Sequence, residues 1–207
     1  MRSSNDLTTP YNPLEKRNLA ESIQRRILSS EILPLGDDSA RRSTSGAGVY
    51  ALYYVGPFAD YAPITAANAR NAWAAPIYVG KAVPAGTRIG SGIDSALSAT
   101  RALKDRLTRH SRSIEEAQNL ELSDFHFRYL VIDDVWIPLG EAVLIESFQP
   151  LWNTLISGFG SNPTGGPRST QALSRWDTLH PGRAGAGTSA GNEVEQVRKL
   201  IREYFAS

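Results

Sequence analysis

An arginine and a histidine lie one helical turn apart in a basic stretch of the chain. Residues 101–112, RALKDRLTRHSR, carry five Arg or Lys residues against one Asp. A helix is predicted over residues 97–110, because Leu103, Arg106, Leu107 and His110 recur there with helical spacing on one face. An inward arginine is usually an ion-pair partner, and a core histidine usually makes a structural hydrogen bond. The joint occurrence of Arg106 and His110 on a basic helix favours phosphate chemistry, because arginine offers a forked donor to phosphate oxygens.

A carboxylate faces the interior of a later helix. Pro138 and Pro150 bound a predicted helix from about 138 to 149. Glu141 lies on the apolar face of this helix together with Phe148. A buried charge is costly unless it is paired or binds a metal, so Glu141 is a candidate ligand for a divalent cation. The alternative is a first-turn acid that complements the helix dipole.

Tyrosine is concentrated in two segments that predict β-strands. Residues 48–56 are GVYALYYVG and residues 76–81 are PIYVGK, so the tripeptide YVG occurs twice. The valine and tyrosine content of both segments is typical of buried strands, in which tyrosine usually serves only packing. A third strand is predicted over 124–133, DFHFRYLVID. No internal repeat with a period of roughly 20–50 residues accompanies the doubled tripeptide.

The composition of the 207-residue chain limits the other kinds of chemistry. It has no cysteine and three histidines, which excludes a thiolate zinc site and leaves oxygen ligands for any metal. Hydrophobic residues make up 41%, as in globular proteins, and the net charge of +1 does not by itself indicate nucleic acid or membrane. The N-terminus lacks an apolar signal region and no window approaches roughly 18 apolar residues, so we expect a soluble, cytoplasmic bacterial protein.

The order of these features resembles the GIY-YIG nuclease superfamily. GVY and the second YVG correspond to the two motifs, and an Arg, a His, a Glu and an Asn follow in order over roughly residues 46–155. Within the superfamily the chain is most similar to type II restriction endonucleases that cut the palindrome CCGCGG. The segments that carry this similarity are GAGVYALYY, PIYVGKAVPAG, EAVLIESFQPLWNT and, in the tail, GFG and WDTLHPGR.

The resemblance implies an α/β (α+β) fold with a small central antiparallel or mixed three-stranded sheet flanked by helices. Residues 1–45 are predicted to form an N-terminal helix, over 12–31, and an arm for dimer or DNA contacts. Residues 46–157 are the predicted nuclease core, in which residues 57–75 are interpreted as a hairpin insertion. Residues 158–207 are predicted to form a C-terminal DNA-contacting loop and a terminal helix.

The superfamily motif requires two tyrosines on neighbouring strands that converge on one phosphate. Tyr54 follows Tyr50 on the same strand, whereas Tyr78 lies on the next strand and precedes Lys81, a cation that the family tends to carry. Tyr78 is therefore predicted to be the second motif tyrosine, and Tyr54 is predicted to serve strand packing.

Four residues are expected to bind, orient or brace around the phosphate. Glu141 is expected to hold one Mg²⁺ ion per active site, for which Mn²⁺ can substitute. Arg106 would neutralise the phosphorane, and Tyr78 would orient a phosphate oxygen or the attacking water. Asn153 would brace the site by hydrogen bonding or, alternatively, only close the turn after the preceding helix.

The general base has two candidates. Tyr50 can activate the water only if it loses its own proton, because an unperturbed phenol has a pKa near 10. Lys81 or His110 would help Tyr50 to lose that proton. Alternatively, His110 is itself the base.

The predicted partners follow from the palindrome, which is most simply read by a two-fold dimer. We expect a homodimer on double-stranded DNA, without membrane contact. A cognate DNA methyltransferase is expected in the same restriction-modification system but not as a physical partner. The predicted DNA contacts lie in the insertion and the C-terminal segment: Asn68, Arg70, Asn71, Arg168, Gln171, Arg175 and Arg183.

Two other functions fit the same fold. A homing or repair nuclease would nick DNA, but such enzymes usually carry a separate DNA-binding or repair domain. A catalytically silent DNA-binding protein need not keep the catalytic side chains, whereas all the expected ones are present here. The sequence therefore predicts a type II restriction endonuclease that makes Mg²⁺-dependent double-strand cuts.

Overall fold

A computed structural model shows an α/β protein in which helices cover both faces of a central sheet, as predicted. The structure describes residues 15–84, 100–160, 172–184, 186 and 193–206. Within these ranges no helix is long and apolar enough to cross a membrane.

The sheet has four strands in the described ranges and is antiparallel throughout. The strands are β1 (Leu33–Pro34), β2 (Gly48–Tyr54), β3 (Pro76–Ala82) and β4 (Phe125–Val131). Their order is β1-β4-β2-β3, so β2 lies between two partners and β3 forms an edge. The predicted count of three omits β1, because two residues that include a proline show no periodicity in sequence.

The central strand β2 is buried on both faces. Tyr50 and Tyr54 pack into one hydrophobic cluster, whereas Val49 and Tyr53 pack into the cluster on the other face. This two-sided burial explains why the segment is a continuous apolar run rather than an alternation of apolar and polar residues.

Eight α-helices surround the sheet in the part of the chain that the structure describes. They are α1 (Lys16–Leu28), α2 (Asp38–Ser43), α3 (Ala62–Asn68), α4 (Ala102–Glu115), α5 (Ile137–Phe148), α6 (Leu151–Thr154), α7 (Arg175–Leu179) and α8 (Val194–Ala206). Helices α1 and α5 supply Ile27 and Leu144 to the cluster that holds Val49. Helices α4, α6, α7 and α8 supply apolar residues to the cluster that holds Tyr50.

The N-terminal helix packs against the rest of the same chain. Helix α1 buries Ile27 fully and packs beside α5. Its predicted start at residues 12–13 lies outside the described residues, and its role in a dimer stays a prediction.

The basic helix α4 begins at Ala102, later than the predicted start at residue 97. The Gly46 amide donates to the Thr100 carbonyl, and the Gly46 carbonyl accepts from the Leu103 amide. These bonds tie the chain just before α4 to the segment that enters β2, so Thr100 is held outside the helix. Residues 97–99 lie outside the described residues.

Candidate active site

The first motif tyrosine lies across the glycine of the second motif. Tyr50 and Gly80 are directly opposite in the pairing of β2 with β3. A Cβ atom at Gly80 would overlap the Tyr50 hydroxyl and would lie 2.6 Å from the ring carbon that bears it. Glycine at residue 80 therefore lets the Tyr50 side chain approach the β3 backbone, which gives this YVG motif a steric basis.

The Tyr50 hydroxyl forms a hydrogen bond with His110 of α4. The Tyr50 Oη and His110 Nε2 atoms are 2.6 Å apart, and both side chains are buried. Burial raises the pKa of the Tyr50 phenol well above its ordinary value; the Tyr78 phenol adds to this effect and the Arg106 guanidinium opposes it. Nearby positive charge therefore does not make Tyr50 a phenolate in the resting site.

His110 is held in its neutral form by its surroundings. Burial lowers the pKa of His110 well below its ordinary value, and the positive charges of Arg106, Arg109 and Arg183 lower it further. At neutral pH the pair is thus a protonated phenol beside a neutral imidazole, which can accept a proton.

Tyr78 joins the same group of side chains. Its ring centroid lies 6.2 Å from that of Tyr50 and 5.3 Å from that of His110. Burial raises the pKa of the Tyr78 phenol, an effect that Arg106 opposes and that Glu141 strengthens. The structure therefore brings the predicted pair of motif tyrosines to one histidine.

Tyr54, the tyrosine of the first YVG, belongs to a different aromatic group. Its ring packs on Tyr61 and Phe125, with centroids 5.6 Å and 4.9 Å away. Its hydroxyl accepts a hydrogen bond of 3.0 Å from the backbone amide of Phe58. These contacts indicate that Tyr54 packs in the core and that its hydroxyl binds the backbone at the start of the insertion.

Arg106 reaches the tyrosine–histidine pair from α4. Its Nε atom donates to the Tyr50 hydroxyl over 3.4 Å, and its Nη2 atom donates to the Gly160 carbonyl over 2.8 Å. The guanidinium is thus held beside Tyr50 by a residue from the C-terminal segment.

Two residues at the site were missed by the sequence analysis. Phe159 stacks on the His110 ring with centroids 4.6 Å apart and planes at 20°, and it meets Tyr78 edge-on at 5.0 Å. Gly160 has a φ of 73°, and a Cβ atom there would lie 2.5 Å from the Tyr78 hydroxyl. No periodic pattern indicates that the tail segment GFG returns to α4; its glycines were the only local signal.

The candidate metal ligand is paired with the motif lysine. The Lys81 Nζ and Glu141 Oε2 atoms are 2.7 Å apart, and the Glu141 side chain is 21% exposed. Among the described residues, no group of three or more His, Cys, Asp or Glu side chains could hold a metal ion. A single carboxylate does not fit a zinc-type site, but it fits Mg²⁺, which keeps water ligands and uses substrate phosphates.

Asn153 secures the strand that carries Tyr78. Its Oδ1 atom accepts from the Val79 amide and its Nδ2 atom donates to the Val79 carbonyl, both over 2.8 Å. Because β3 is an edge strand, this side chain satisfies backbone groups that would otherwise lack a strand partner. Asn153 thus binds the β3 backbone directly after Tyr78.

A basic cleft of about 550 Å³ opens beside these residues. The described residues that line it include four cations, Lys81, Arg101, Arg106 and Arg109, and one acid, Asp105. Such an excess of positive charge suits a phosphate backbone. The cleft places the candidate catalytic arginine next to two further arginines on and before α4.

Two of the predicted DNA contacts have side chains that are buried and bonded within the protein. Asn68 is 1% exposed and bonds to the backbone of Tyr54 and Ala75, which fixes the insertion on β2. Arg183 forms an ion pair with Asp177 at 2.8 Å, in which the two side chains are 8% and 6% exposed. Neither side chain is available to a DNA groove.

The other predicted DNA contacts have different positions. Arg70 and Asn71 are exposed at the end of the insertion, with φ angles of 56° and 62°. Arg175 is partly buried and donates to the Leu155 carbonyl over 2.9 Å. Arg168 and Gln171 lie outside the described residues.

Comparison with protein families gives one match. The model described as the Eco29kI GIY-YIG domain matches residues 42–205. The matched range extends beyond the predicted core and includes Phe159 and Gly160. A search of curated proteins returned no match to the chain.

Proposed function

The chain belongs to the Eco29kI GIY-YIG domain family, whose members are restriction-type nucleases that act on DNA, and from this premise we propose that it is a type II restriction endonuclease. It makes Mg²⁺-dependent double-strand cuts at a short G·C-rich palindrome, CCGCGG. The observation that carries this proposal is the meeting of Tyr50, Tyr78, Arg106 and His110 beside a basic cleft.

The proton of the attacking water passes through a relay. The Tyr50 hydroxyl accepts this proton while it gives its own to Nε2 of His110, 2.6 Å away. A neutral phenol and a neutral imidazole suit this transfer, because no free phenolate has to form. The phosphate of bound DNA adds negative charge, which raises the proton affinity of His110. His110 is thus the final base and Tyr50 the group that touches water.

The remaining site residues act on the phosphate. Arg106 neutralises the charge that develops on the phosphorane, and Tyr78 orients a phosphate oxygen or the water. Glu141 would hold one divalent ion, Mg²⁺ or Mn²⁺, in place of its ion pair with Lys81. When bound, this ion supplies charge neutralisation and help for the departing 3′ oxygen.

A six-base-pair palindrome is most simply read by two subunits of the same chain. A homodimer places two sites on the two strands by its two-fold symmetry. Arg70 and Asn71 are exposed at the end of the insertion and remain the candidates for groove contacts among the described residues. A cognate DNA methyltransferase protects the same site in the host.

Replacing the candidate metal ligand tests the chemistry. Glu141→Gln should keep DNA affinity in a gel shift without metal, because the basic cleft is unchanged. The same variant should lose cleavage of a CCGCGG plasmid with Mg²⁺ by about 10³-fold or more, the scale expected for loss of metal-assisted chemistry. Robust cleavage by Glu141→Gln would remove this residue from the metal site.

The wild-type digestion separates the three functions that the fold permits. Discrete linear fragments support a restriction endonuclease. Nicked circles would indicate a homing or repair type, and intact plasmid at all divalent-ion concentrations would indicate a silent DNA-binding protein.

A further inference from the structure

We propose that Phe159 and Gly160 are positioning residues of the active site: Phe159 holds the His110 ring against Tyr50, and the Gly160 carbonyl holds the Arg106 guanidinium. This inference rests on the proposed nuclease function and adds to it a role for the C-terminal segment. That segment is otherwise expected only to contact DNA.

Phe159 covers the face of the imidazole. Its ring is stacked on His110 at a centroid distance of 4.6 Å, and only 5% of the residue is exposed. The ring is itself wedged against Trp152 and Trp176, with centroids 4.5 Å and 5.3 Å away. A flat ring backed by two indoles fixes the tilt of the imidazole and excludes water from it.

Gly160 fixes the second catalytic side chain. Its carbonyl accepts the hydrogen bond from Arg106 Nη2, which orients the guanidinium plane towards Tyr50. The φ of 73° and the approach of Tyr78 and His110 to the Gly160 Cα leave no room for a side chain. Glycine at residue 160 thus allows the left-handed backbone and the close contact with Tyr78, His110 and Arg106.

The segment is held from behind by the C-terminal residues. Arg183 Nη2 donates to the Gly158 carbonyl over 3.1 Å, and the same guanidinium is fixed by Asp177 and lies over the Trp176 ring. The Trp176 amide also donates to the Ser157 carbonyl over 3.0 Å. These bonds give the buried Arg183 side chain a structural role behind Phe159 and Gly160.

The first test uses two matched pairs of variants. Phe159→Leu is compared with Phe125→Leu, which changes a buried ring of the same cluster that packs on Tyr54 and Trp152. Gly160→Ala is compared with Gly182→Ala, which has a φ of 122° and whose Cβ would overlap the Glu116 carbonyl far along the chain. Each control carries the same chemical change without contact to the tyrosine–histidine pair.

The measurement is the single-turnover rate on a CCGCGG plasmid with Mg²⁺, together with thermal melting and DNA affinity. Phe159→Leu and Gly160→Ala should cut about 10-fold to 100-fold more slowly, the range that misplacement of catalytic groups produces. DNA affinity should be unchanged. Phe125→Leu and Gly182→Ala, measured where each variant is folded, should keep the wild-type rate.

The pH profile provides a readout that loss of packing alone would not change. His110 faces Tyr50 and Tyr78 from the sheet, Arg106 and Arg109 from α4, and Arg183 from the C-terminal segment. Burial raises the pKa of the Tyr50 and Tyr78 phenols, which therefore stay neutral across roughly pH 5–8. Solvent access to His110 is then what the Phe159 substitution changes. Leucine at residue 159 admits water, which raises the pKa of His110 towards its ordinary value. The acid limb of the rate profile should therefore move to higher pH in Phe159→Leu.

The outcomes distinguish the inference from the proposed function. Wild-type protein that leaves DNA intact contradicts the function itself. If the wild type cuts and all four variants slow in proportion to their melting temperatures, the two residues serve only stability. A wild-type rate with an unmoved acid limb in Phe159→Leu also overturns the inference. If Phe159→Leu does not fold, the rate of Gly160→Ala relative to Gly182→Ala decides alone.

Discussion

Among the described residues, two buried tyrosine–histidine pairs have the same hydrogen-bond length. Tyr50 and His110 are 2.6 Å apart at the candidate active site, and Tyr61 and His180 are 2.6 Å apart elsewhere in the hydrophobic core. Each residue of both pairs is at most 2% exposed. The length of the bond and the burial of its partners therefore do not distinguish a reactive pair from a structural one.

The surroundings of the two pairs differ. In the second pair the Trp152 indole donates to the Tyr61 hydroxyl over 2.9 Å, and His180 Nδ1 bonds to Asn119 Oδ1 over 2.8 Å. Burial alone lowers the pKa of His180 to about 3. Both outer hydrogen-bond partners, the Trp152 indole and the Asn119 side-chain amide, are neutral. Each proton of the Tyr61–His180 pair therefore has one fixed donor and one fixed acceptor.

The first pair instead has cations around it and a cleft beside it. Arg106 bonds to the Tyr50 hydroxyl, and three arginines lower the pKa of His110 in addition to burial. Lys81, Arg101 and Arg109 line the adjacent cleft. The Tyr50–His110 hydrogen bond therefore lies beside positive charge at a place that a phosphate can enter. This difference suits the first pair, but not the second, to catalysis.

The largest expected effect comes from removing one hydroxyl from each pair. Tyr50→Phe should lower the single-turnover cleavage rate by about 10³-fold, within the range for loss of a general base. Tyr61→Phe should leave the rate of folded protein unchanged. It should lower the free energy of unfolding by about 1–3 kcal/mol, because the Trp152 indole loses its acceptor. Rates and denaturant melts of both variants check this.

Loss of activity in folded Tyr61→Phe, or a wild-type rate in Tyr50→Phe, would contradict the assignment of one pair to catalysis and the other to structure. Circular dichroism at the assay temperature supplies the control for folding.

The two copies of YVG provide the next largest effect. Tyr78→Phe should lower the cleavage rate by about 10²-fold, the scale reported for loss of one positioned hydrogen-bond donor. Tyr54→Phe should cost about 1 kcal/mol of stability, because only the hydrogen bond from the Phe58 amide is lost. Matched single-turnover assays decide between the copies, and a larger rate loss in Tyr54→Phe would mean that the first YVG is the functional one.

The smallest effect on cleavage is expected at His180, whose titration changes the pH dependence of stability. The pKa of His180 is about 3 in the folded protein and about 6.5 when unfolded, so the unfolded state binds more protons between these values. Above about pH 6.5 His180 is neutral in both states and does not lower the free energy of unfolding. As the pH decreases from about 6.5 towards 3, protonation of His180 in the unfolded state lowers the free energy of unfolding by at most about 1.4 kcal/mol per pH unit.

Replacing His180 checks this sign. His180→Gln should reduce the slope of unfolding free energy against pH between about 4 and 6 by close to one proton. The cleavage rate of folded protein at neutral pH should not change. An unaltered slope would show that His180 does not titrate as its burial requires.

The strands and the motif order were predictable because their signals are local. GVYALYY, PIYVGKA and FHFRYLV are dense in aromatic and β-branched residues, and they became β2, β3 and β4. The membership of the GIY-YIG superfamily is confirmed by the match over residues 42–205. The inward face of α4 also followed from spacing, since Leu103, Leu107 and His110 are buried.

The polar residues were harder to interpret because burial depends on distant partners. Asn68 and Arg183 lie in segments that were predicted to be loops from their composition, and a loop prediction favours a surface role. In the structure, Asn68 is buried and forms hydrogen bonds with the backbone of Tyr54 and Ala75. Arg183 is buried in an ion pair with Asp177. Phe159 was missed for the same reason, because its contact with His110 spans distant parts of the chain.

The most direct test of the central claim is to sequence the DNA ends that the wild-type protein produces. Purified protein is incubated with bacterial genomic DNA and Mg²⁺, and the released termini are mapped to single-nucleotide positions. Paired double-strand ends at CCGCGG are expected from the wild type, and none from Glu141→Gln or Tyr50→Phe. Ends at unrelated sequences, or equal numbers of ends with and without these substitutions, would contradict it.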